Sequence, residues 1–213
     1  MEKYKDVIEA LSANRMNVYT AENREEAKAI ALSLINNGNS VASGGSVTLD
    51  QCGILEAVKA TGEYNYIDRY APNVTPENRR AVFLESARCD VYLTSCNAIT
   101  RTGELYNVDG NSNRVSAIAY GPEKVIAVVG VNKIVDTLED AVLRVKTVAA
   151  PLNAKRLSCD TYCREAGRCV SCDGVMGAGC KSKGRICCNY LVSGFQRHPG
   201  RINIILVNEE LGY

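Results

Sequence analysis

The sequence predicts an α/β protein whose mostly parallel sheet is covered by helices on both faces, with a small irregular cysteine-rich segment attached. Three observations carry this. Helical and strand periodicities alternate through the first 158 residues. Two near-continuous apolar runs, KVIAVVGV (Lys124–Val131) and RINIILV (Arg201–Val207), have the composition of strands buried on both faces. Seven of the ten cysteines fall between Cys159 and Cys188, in a stretch almost without apolar periodicity.

The elements follow in order. Tyr4, Val7, Ile8 and Leu11 mark a first amphipathic helix, and Asn17–Ala21 a short strand. Asn23 with Glu26 caps a second helix, whose inner face carries Ala27, Ile30, Ala31, Leu34 and Ile35, and Asn37-Gly38 stops it. Ser40–Ser43 is a brief strand; Thr48 with Gln51 then opens a helix running towards Ala60. Thr75-Pro76 starts another, with Pro in its tolerated first position. Asp90–Ser95 reads as a buried strand, and Ile99–Tyr106 as a hairpin around Gly103. Asp136 and Glu139 open a long helix with Leu138, Ala141, Val142, Val145 and Val148 inward, and Arg201–Val207 is the last strand. The chain therefore divides into an α/β region over 1–158, a cysteine-rich segment over 159–188, and a return to the α/β region over 189–213.

Composition bounds function. The formal charge is +1 with no run of Lys or Arg, so no phosphate-neutralising surface for nucleic acid is expected. No apolar run approaches the roughly 20 residues that span a bilayer, and the charged amphipathic N-terminus is no secretory signal. A cytoplasmic location is expected. Thiols there are kept reduced, so dense cysteines point to metal or redox chemistry before disulfides. The pattern C-x3-C-x5-C-x2-C-x7-C-x6-C-C offers Cys159, Cys163, Cys169 and Cys172 as four convergent thiolates. Cys187 and Cys188 can replace some of them or serve a second centre, one of that adjacent pair per metal. Arg164, Arg168, Lys181, Lys183 and Arg185 would offset the charge. Spacing leaves an iron–sulfur cluster, zinc, and free or paired thiols open. Cys52, Cys89 and Cys96 are scattered and are expected to be packing residues.

A second candidate site is the loop Ser43, Gly44, Gly45, Ser46 and Thr48. Its glycines expose backbone N–H groups, and a helix N-terminus follows, as a phosphate or carboxylate cradle requires. A tight turn with capping hydroxyls is the plainer reading. Asn97, Thr100, Asn107, Asp109 and Arg114 belong to the densest polar run, in which Arg114 could grip a carboxylate bidentately. Asp109-x-Asn111-x-Asn113 is not a calcium loop: the glycine at loop position 6 is missing and Tyr120 stands at position 12. Asn132 and Lys133 follow a strand, where α/β sheets place ligands. The lone His198, between Arg197 and Pro199, reads as part of a surface turn.

Four stretches resemble the lactate-utilisation (LUD) domain family. They are SGGSVTLDQCGI (Ser43–Ile54), NAITRTGELYNVDGNSNRVSAIAYGPEKVIAVVGVNKIV (Asn97–Val135), AAPLNAKRL (Ala149–Leu157) and the terminal GRINIILVNEELGY. The resemblance implies a fold like that of the NagB/RpiA/CoA-transferase group and a role in bacterial lactate or other organic-acid utilisation. Related subunits there carry iron–sulfur clusters, so a 4Fe-4S cluster is the expected cofactor, a small anionic metabolite the expected ligand and an electron-transfer protein the expected partner. In CoA-transferases of that fold a glutamate in a comparable loop attacks the acyl group; Glu104, after Gly103, is the matching candidate, with a solvated hairpin glutamate as the alternative. The double run of four close cysteines of the larger iron–sulfur subunit is replaced here by the different pattern above. The rival functions are a non-redox acyl-transfer or sugar-phosphate enzyme with structural zinc, and an iron or redox sensor that binds a protein partner.

Overall fold

A computed structural model describes residues 1–213. Six parallel strands form the main sheet: β1 (Asn17–Ala21), β2 (Ser40–Ser43), β3 (Asn65–Ile67), β4 (Val91–Thr94), β7 (Lys124–Gly130) and β10 (Ile202–Val207), in the order β1-β10-β7-β4-β2-β3. The two longest apolar runs are thus neighbours at its centre. Their alternating side chains feed opposite faces. Ile126, Val128, Ile205 and Val207 pack on one side with Ala27, Ala31, Leu49, Ile54 and Val58. Ala127, Val129, Ile202 and Ile204 pack on the other with Val7 and Leu11. The first face lies under α2 (Arg24–Ser33), α3 (Val47–Gln51) and α4 (Ile54–Ala60), the second under α1 (Lys5–Ala13). The α/β expectation with a mostly parallel sheet holds.

A second, four-stranded sheet was not foreseen beyond its hairpin. It has the order β8-β5-β6-β9, from β8 (Ile134–Val135), β5 (Ala98–Thr100), β6 (Leu105–Asp109) and β9 (Asn189–Ser193). The β5–β6 hairpin turns at Gly103, whose φ is +84°; a Cβ there would lie 2.7 Å from the backbone carbon of Ala10. Only glycine fits both the left-handed backbone and the close approach of α1. One face of this sheet packs Tyr106 and Val108 on Ala141, Val142, Val145 and Ala149. The C-terminal stretch returns to both sheets: β9 pairs with β6, and β10 with β1 and β7.

Helix boundaries differ from the sequence reading for identifiable reasons. Ser46, not Thr48, caps α3, its hydroxyl accepting the Leu49 N–H at 3.3 Å. The helix expected to run to Ala60 breaks at Gly53, whose φ of +63° starts α4 afresh. Residues 75–78 form a turn, and α5 (Arg79–Ser86) begins only after Asn78. Thr137 and Asp140 make the reciprocal capping box of α7 (Leu138–Arg144), one residue beyond the expected pair. That helix continues through a π-helical turn, Val145–Ala149, into α8 (Ala150–Arg156). Pro151 has no N–H for the Thr147 carbonyl, so the hydrogen-bond ladder must shift register there. Between β6 and β7 lies α6 (Asn113–Ala119). No helix is long and apolar enough to cross a membrane.

Candidate functional site

The C-terminal ends of β2, β4, β7 and β10 meet along one edge of the main sheet, where their loops line a cleft of about 170 Å³. Crevices beyond strand C-termini are where open α/β sheets bind ligands. Lys133 stands at its floor, just after β7, only 2% exposed. Its ammonium donates to Thr48 Oγ1 at 2.9 Å and Ser95 Oγ at 3.0 Å. Burial pushes its pKa down to about 8, and Arg144 and Arg114 push the same way. No carboxylate pairs with it, and none of the chain's ion pairs involves Arg69, Arg114 or Arg156, which also line the cleft.

The single acid lining the cleft, Asp109, is already engaged. Its carboxylate accepts the N–H groups of Asn111, Arg114 and Val115 and thereby holds the start of α6. Four cations thus face one committed carboxylate. The cleft carries a surplus of positive charge, and a buried ammonium with two hydroxyls beside it suits an incoming anionic oxygen.

Of the residues expected at a small-molecule site, Gly45, Ser46, Thr48, Asn97, Asp109, Arg114 and Lys133 line this cleft. Arg114 is not free to grip a ligand with its fork. Nη1 donates to Asn107 Oδ1 at 2.6 Å and Ser95 O at 3.2 Å, and Nη2 to Val108 O at 2.7 Å and Asn97 Oδ1 at 2.9 Å. Its guanidinium ties β6 to the loop after β4, and so shapes the wall of the cleft. Asn107 is buried as the acceptor of that tie, with its own Nδ2 unpartnered.

Ser43, Gly44, Thr100, Asn132 and Glu104 lie outside the lining. Ser43 shares a hydrogen bond with the Tyr66 hydroxyl, and the Gly44 N–H is spent on Leu93 O. Asn132 Oδ1 accepts the Leu211 N–H, fixing the C-terminal stretch over the cleft. Glu104 sits in the β5–β6 turn with buried Thr100. Burial acts to raise its carboxyl, but hydrogen bonds from the Thr100 and Thr102 hydroxyls outweigh it and hold it below the usual range. The expected acyl-attacking role therefore has no place in this cleft. His198 is exposed. Sequence reasoning missed Ser95, Arg69, Arg156 and Tyr213, which enter from the end of β4, the loop after β3, α8 and the C-terminus. Arg156 Nε donates to the Tyr213 hydroxyl at 2.8 Å, closing the rim.

The cysteine segment lies beside the cleft. Apart from the short helix α9 (Tyr162–Ala166) it is irregular, and two cations organise it. Lys146, 5% exposed, donates to Ser171 O at 2.8 Å and Val175 O at 2.6 Å. Arg185 donates to the carbonyls of Cys187, Cys180 and Gly177 and to the Tyr190 hydroxyl. Met176, Cys187 and Tyr190 pack on the core between the second sheet and α7. Main-chain carbonyls clipped by cations thus replace part of the missing apolar core.

Cys163, Cys169, Cys180 and Cys187 line one small, mainly apolar cavity in this segment. Burial pushes the Cys187 thiol up to about 12, and Cys163, Cys169 and Cys180 add to it. Of the expected ligands, Cys172 and Cys188 are exposed, with their thiols turned to the carbonyls of Cys169 and Arg185, and Cys159 lies outside the cavity. Cys180 was not among the expected ligands. No three Cys, His, Asp or Glu side chains converge closely enough to hold a single metal ion in this arrangement. Cys52, Cys89 and Cys96 are core residues, as expected.

Fold and site together define a parallel α/β protein with a basic cleft at the C-terminal edge of its main sheet. The chain belongs to the LUD domain family, whose sequence model matches residues 4–207. Among solved structures it is similar to the crystal structure of a DUF162 family protein from Deinococcus radiodurans, at 18% identity and a TM-score of 0.49, covering 97% of this chain and 94% of that one. A search of curated proteins returned no match.

Proposed function

We propose that this protein binds a small organic acid or related anionic metabolite in the cleft, in lactate or other organic-acid utilisation, and that its thiols carry a metal cofactor for that metabolism. The observation that carries the reading is Lys133: a buried ammonium at the strand edge with two hydroxyl partners and no counter-carboxylate. The family supports the organic-acid assignment. The NagB/RpiA/CoA-transferase likeness is part of the same proposal and agrees with a ligand site at the strand C-termini.

For the cofactor we favour an iron–sulfur cluster, with an electron-transfer protein as the redox partner in the cytoplasm. Ile186 lines both the cleft and the cysteine cavity, so the two are neighbours. The support is the donor type alone, cysteine thiols in number with Lys146 and Arg185 nearby to balance charge; as they stand the thiols do not converge on one point. The group would supply electron storage; the chain's own residues hold the anion and position the thiols.

The test is calorimetric titration of 2-hydroxy acids, inorganic phosphate and CoA esters into wild type and Gly45→Val. A Cβ at Gly45 would lie 3.2 Å from the Tyr70 hydroxyl and 3.5 Å from Arg156 Nη2, so valine should narrow the cleft mouth. Binding of one of these anions to wild type and its weakening in the variant is expected; equal affinity in both would place the ligand elsewhere. Anaerobic iron, sulfide and zinc analysis separates the cluster from a zinc clip in a non-redox enzyme.

A further inference from the structure

We propose that the cleft selects an organic acid with two anionic groups. One sits on Lys133 at the floor, and the second is held by Arg69, Arg156 and the Tyr70 hydroxyl at the mouth. This rests on the anion-binding reading above and narrows its ligand to dianions.

The floor offers one strong position. An ammonium has three N–H donors, and Lys133 spends two of them on Thr48 and Ser95. The third has no protein partner, on a side chain almost wholly buried. A single anionic oxygen completes it and offsets a charge that burial otherwise disfavours.

The mouth offers a second position, built from different residues. The Tyr70 hydroxyl and Arg156 Nη2 flank one point beside Gly45, at 3.2 and 3.5 Å from where its Cβ would be. Neutral groups hold Arg156: Nε donates to the Tyr213 hydroxyl and Asn153 Oδ1, and Nη2 to Asn153 Oδ1, so Nη1 remains free. Arg69 is held by stacking, its guanidinium carbon 5.1 Å from the centre of the Tyr70 ring and 4.8 Å from that of Phe83. Neither guanidinium is in an ion pair. Burial raises the Asp50 carboxyl more than the charge of Arg156 lowers it, and the two groups stay apart. Two guanidinium groups fixed by aromatic rings and an amide keep their charge, and donors with it, for a ligand. Such forks match a carboxylate or a phosphate.

The two positions are close enough for one small molecule. Gly45 at the mouth and Thr48 at the floor are three residues apart, a length of chain that spans at most about 10 Å. A monoacid on Lys133 leaves the mouth cations unpaired, whereas a diacid pairs both ends. A second carboxylate and a phosphate ester share this chemistry, and the experiment separates them.

The experiment is calorimetric titration, at low salt, of two pairs of acids in which only the second anionic group differs. They are 2-hydroxybutyrate against malate, and glycerate against 3-phosphoglycerate. Wild type, Lys133→Met and the double variant Arg69→Gln with Arg156→Gln are compared, with circular dichroism confirming that each is folded. In wild type, malate or 3-phosphoglycerate should bind at least about tenfold tighter than its monoacid, the difference one charged contact supplies. The pair that shows the gain names the second group. The double variant should lose the gain while keeping the monoacid affinity, and Lys133→Met should weaken all four acids. Monoacids that bind wild type through Lys133 with no gain in either pair would overturn the proposal and leave the anion-binding reading intact. A gain that persists in the double variant would place the second group elsewhere and overturn it too. Failure of all four acids to bind wild type would overturn the proposal together with the organic-acid reading.

Discussion

Replacing Lys133 with methionine separates a binding residue from a structural strut. Its pKa stands at about 8 in the folded chain against 10.5 for an ordinary lysine. At 1.36 kcal/mol per pKa unit, holding the ammonium charged at neutral pH costs the fold on the order of 3 kcal/mol. Methionine keeps the length and apolar stem and removes that cost. It also strips Thr48 Oγ1 and Ser95 Oγ of a partner, at about 1 kcal/mol each. The variant should therefore be about 1 kcal/mol more stable than wild type at pH 7 without ligand, while losing a charged contact to any bound anion. Such a contact contributes about 1.5–3 kcal/mol, or roughly ten- to a hundredfold in affinity.

The sign with pH is fixed. A lysine whose folded pKa is depressed makes the unfolded state bind more protons between about 8 and 10.5, so wild-type stability rises through that window. The variant's advantage should shrink as pH rises from about 8 and vanish near about pH 9. By about 10.5 it should reverse to a deficit of about 2 kcal/mol, where wild type has shed the charge cost and keeps both hydroxyl contacts. Urea denaturation of both proteins across this range measures it. A variant destabilised by more than about 2 kcal/mol at pH 7, with no pH dependence of the difference, would show the ammonium to be a strut and refute the reasoning.

Three further outcomes follow from the same geometry. Anion affinity in wild type should be flat below pH 8 and fall above it as Lys133 loses its proton, which calorimetry at several pH values will show. Arg114→Lys should lower stability by about 2–4 kcal/mol in denaturant melts, because an ammonium cannot reproduce the four guanidinium bonds to Asn97, Asn107, Ser95 and Val108. Gly103→Ala combines a left-handed backbone with a Cβ 2.7 Å from Ala10, and should cost about 2–4 kcal/mol in thermal or urea unfolding without abolishing metal binding.

The main sheet was legible because its central strands, β7 and β10, are apolar on both faces, and no helical pattern competes with such runs. The second sheet was hidden because its pairing is remote. Leu105 finds Ser193, and β9 emerges from a cysteine-rich stretch whose local pattern says nothing of a strand. Helix starts slipped by one to three residues, in one case because neighbouring hydroxyls compete, as Ser46 does with Thr48. At the cleft, Lys133 was readable from its position after an apolar strand, whereas its partner Ser95 was concealed at the end of what looked like strand interior. Arg114 carried the opposite lesson. A cation in a polar run suggested ligand binding, yet its fork is consumed by four oxygens of its own chain. For the thiols, sequence proximity favoured Cys159 and Cys172, while the fold returns Cys180 and Cys187 to Cys163 and Cys169 through a glycine-rich loop that no short spacing encodes.

The central claim is that Lys133 receives an anion at the strand edge. Its most direct test is a crystal structure of the wild-type chain with a 2-hydroxy acid or phosphate that calorimetry has shown to bind. The account predicts an anionic oxygen within hydrogen-bond distance of Lys133 Nζ, between the hydroxyls of Thr48 and Ser95. An anion seated elsewhere, with the Lys133 ammonium still bonded only to those two hydroxyls, would contradict it.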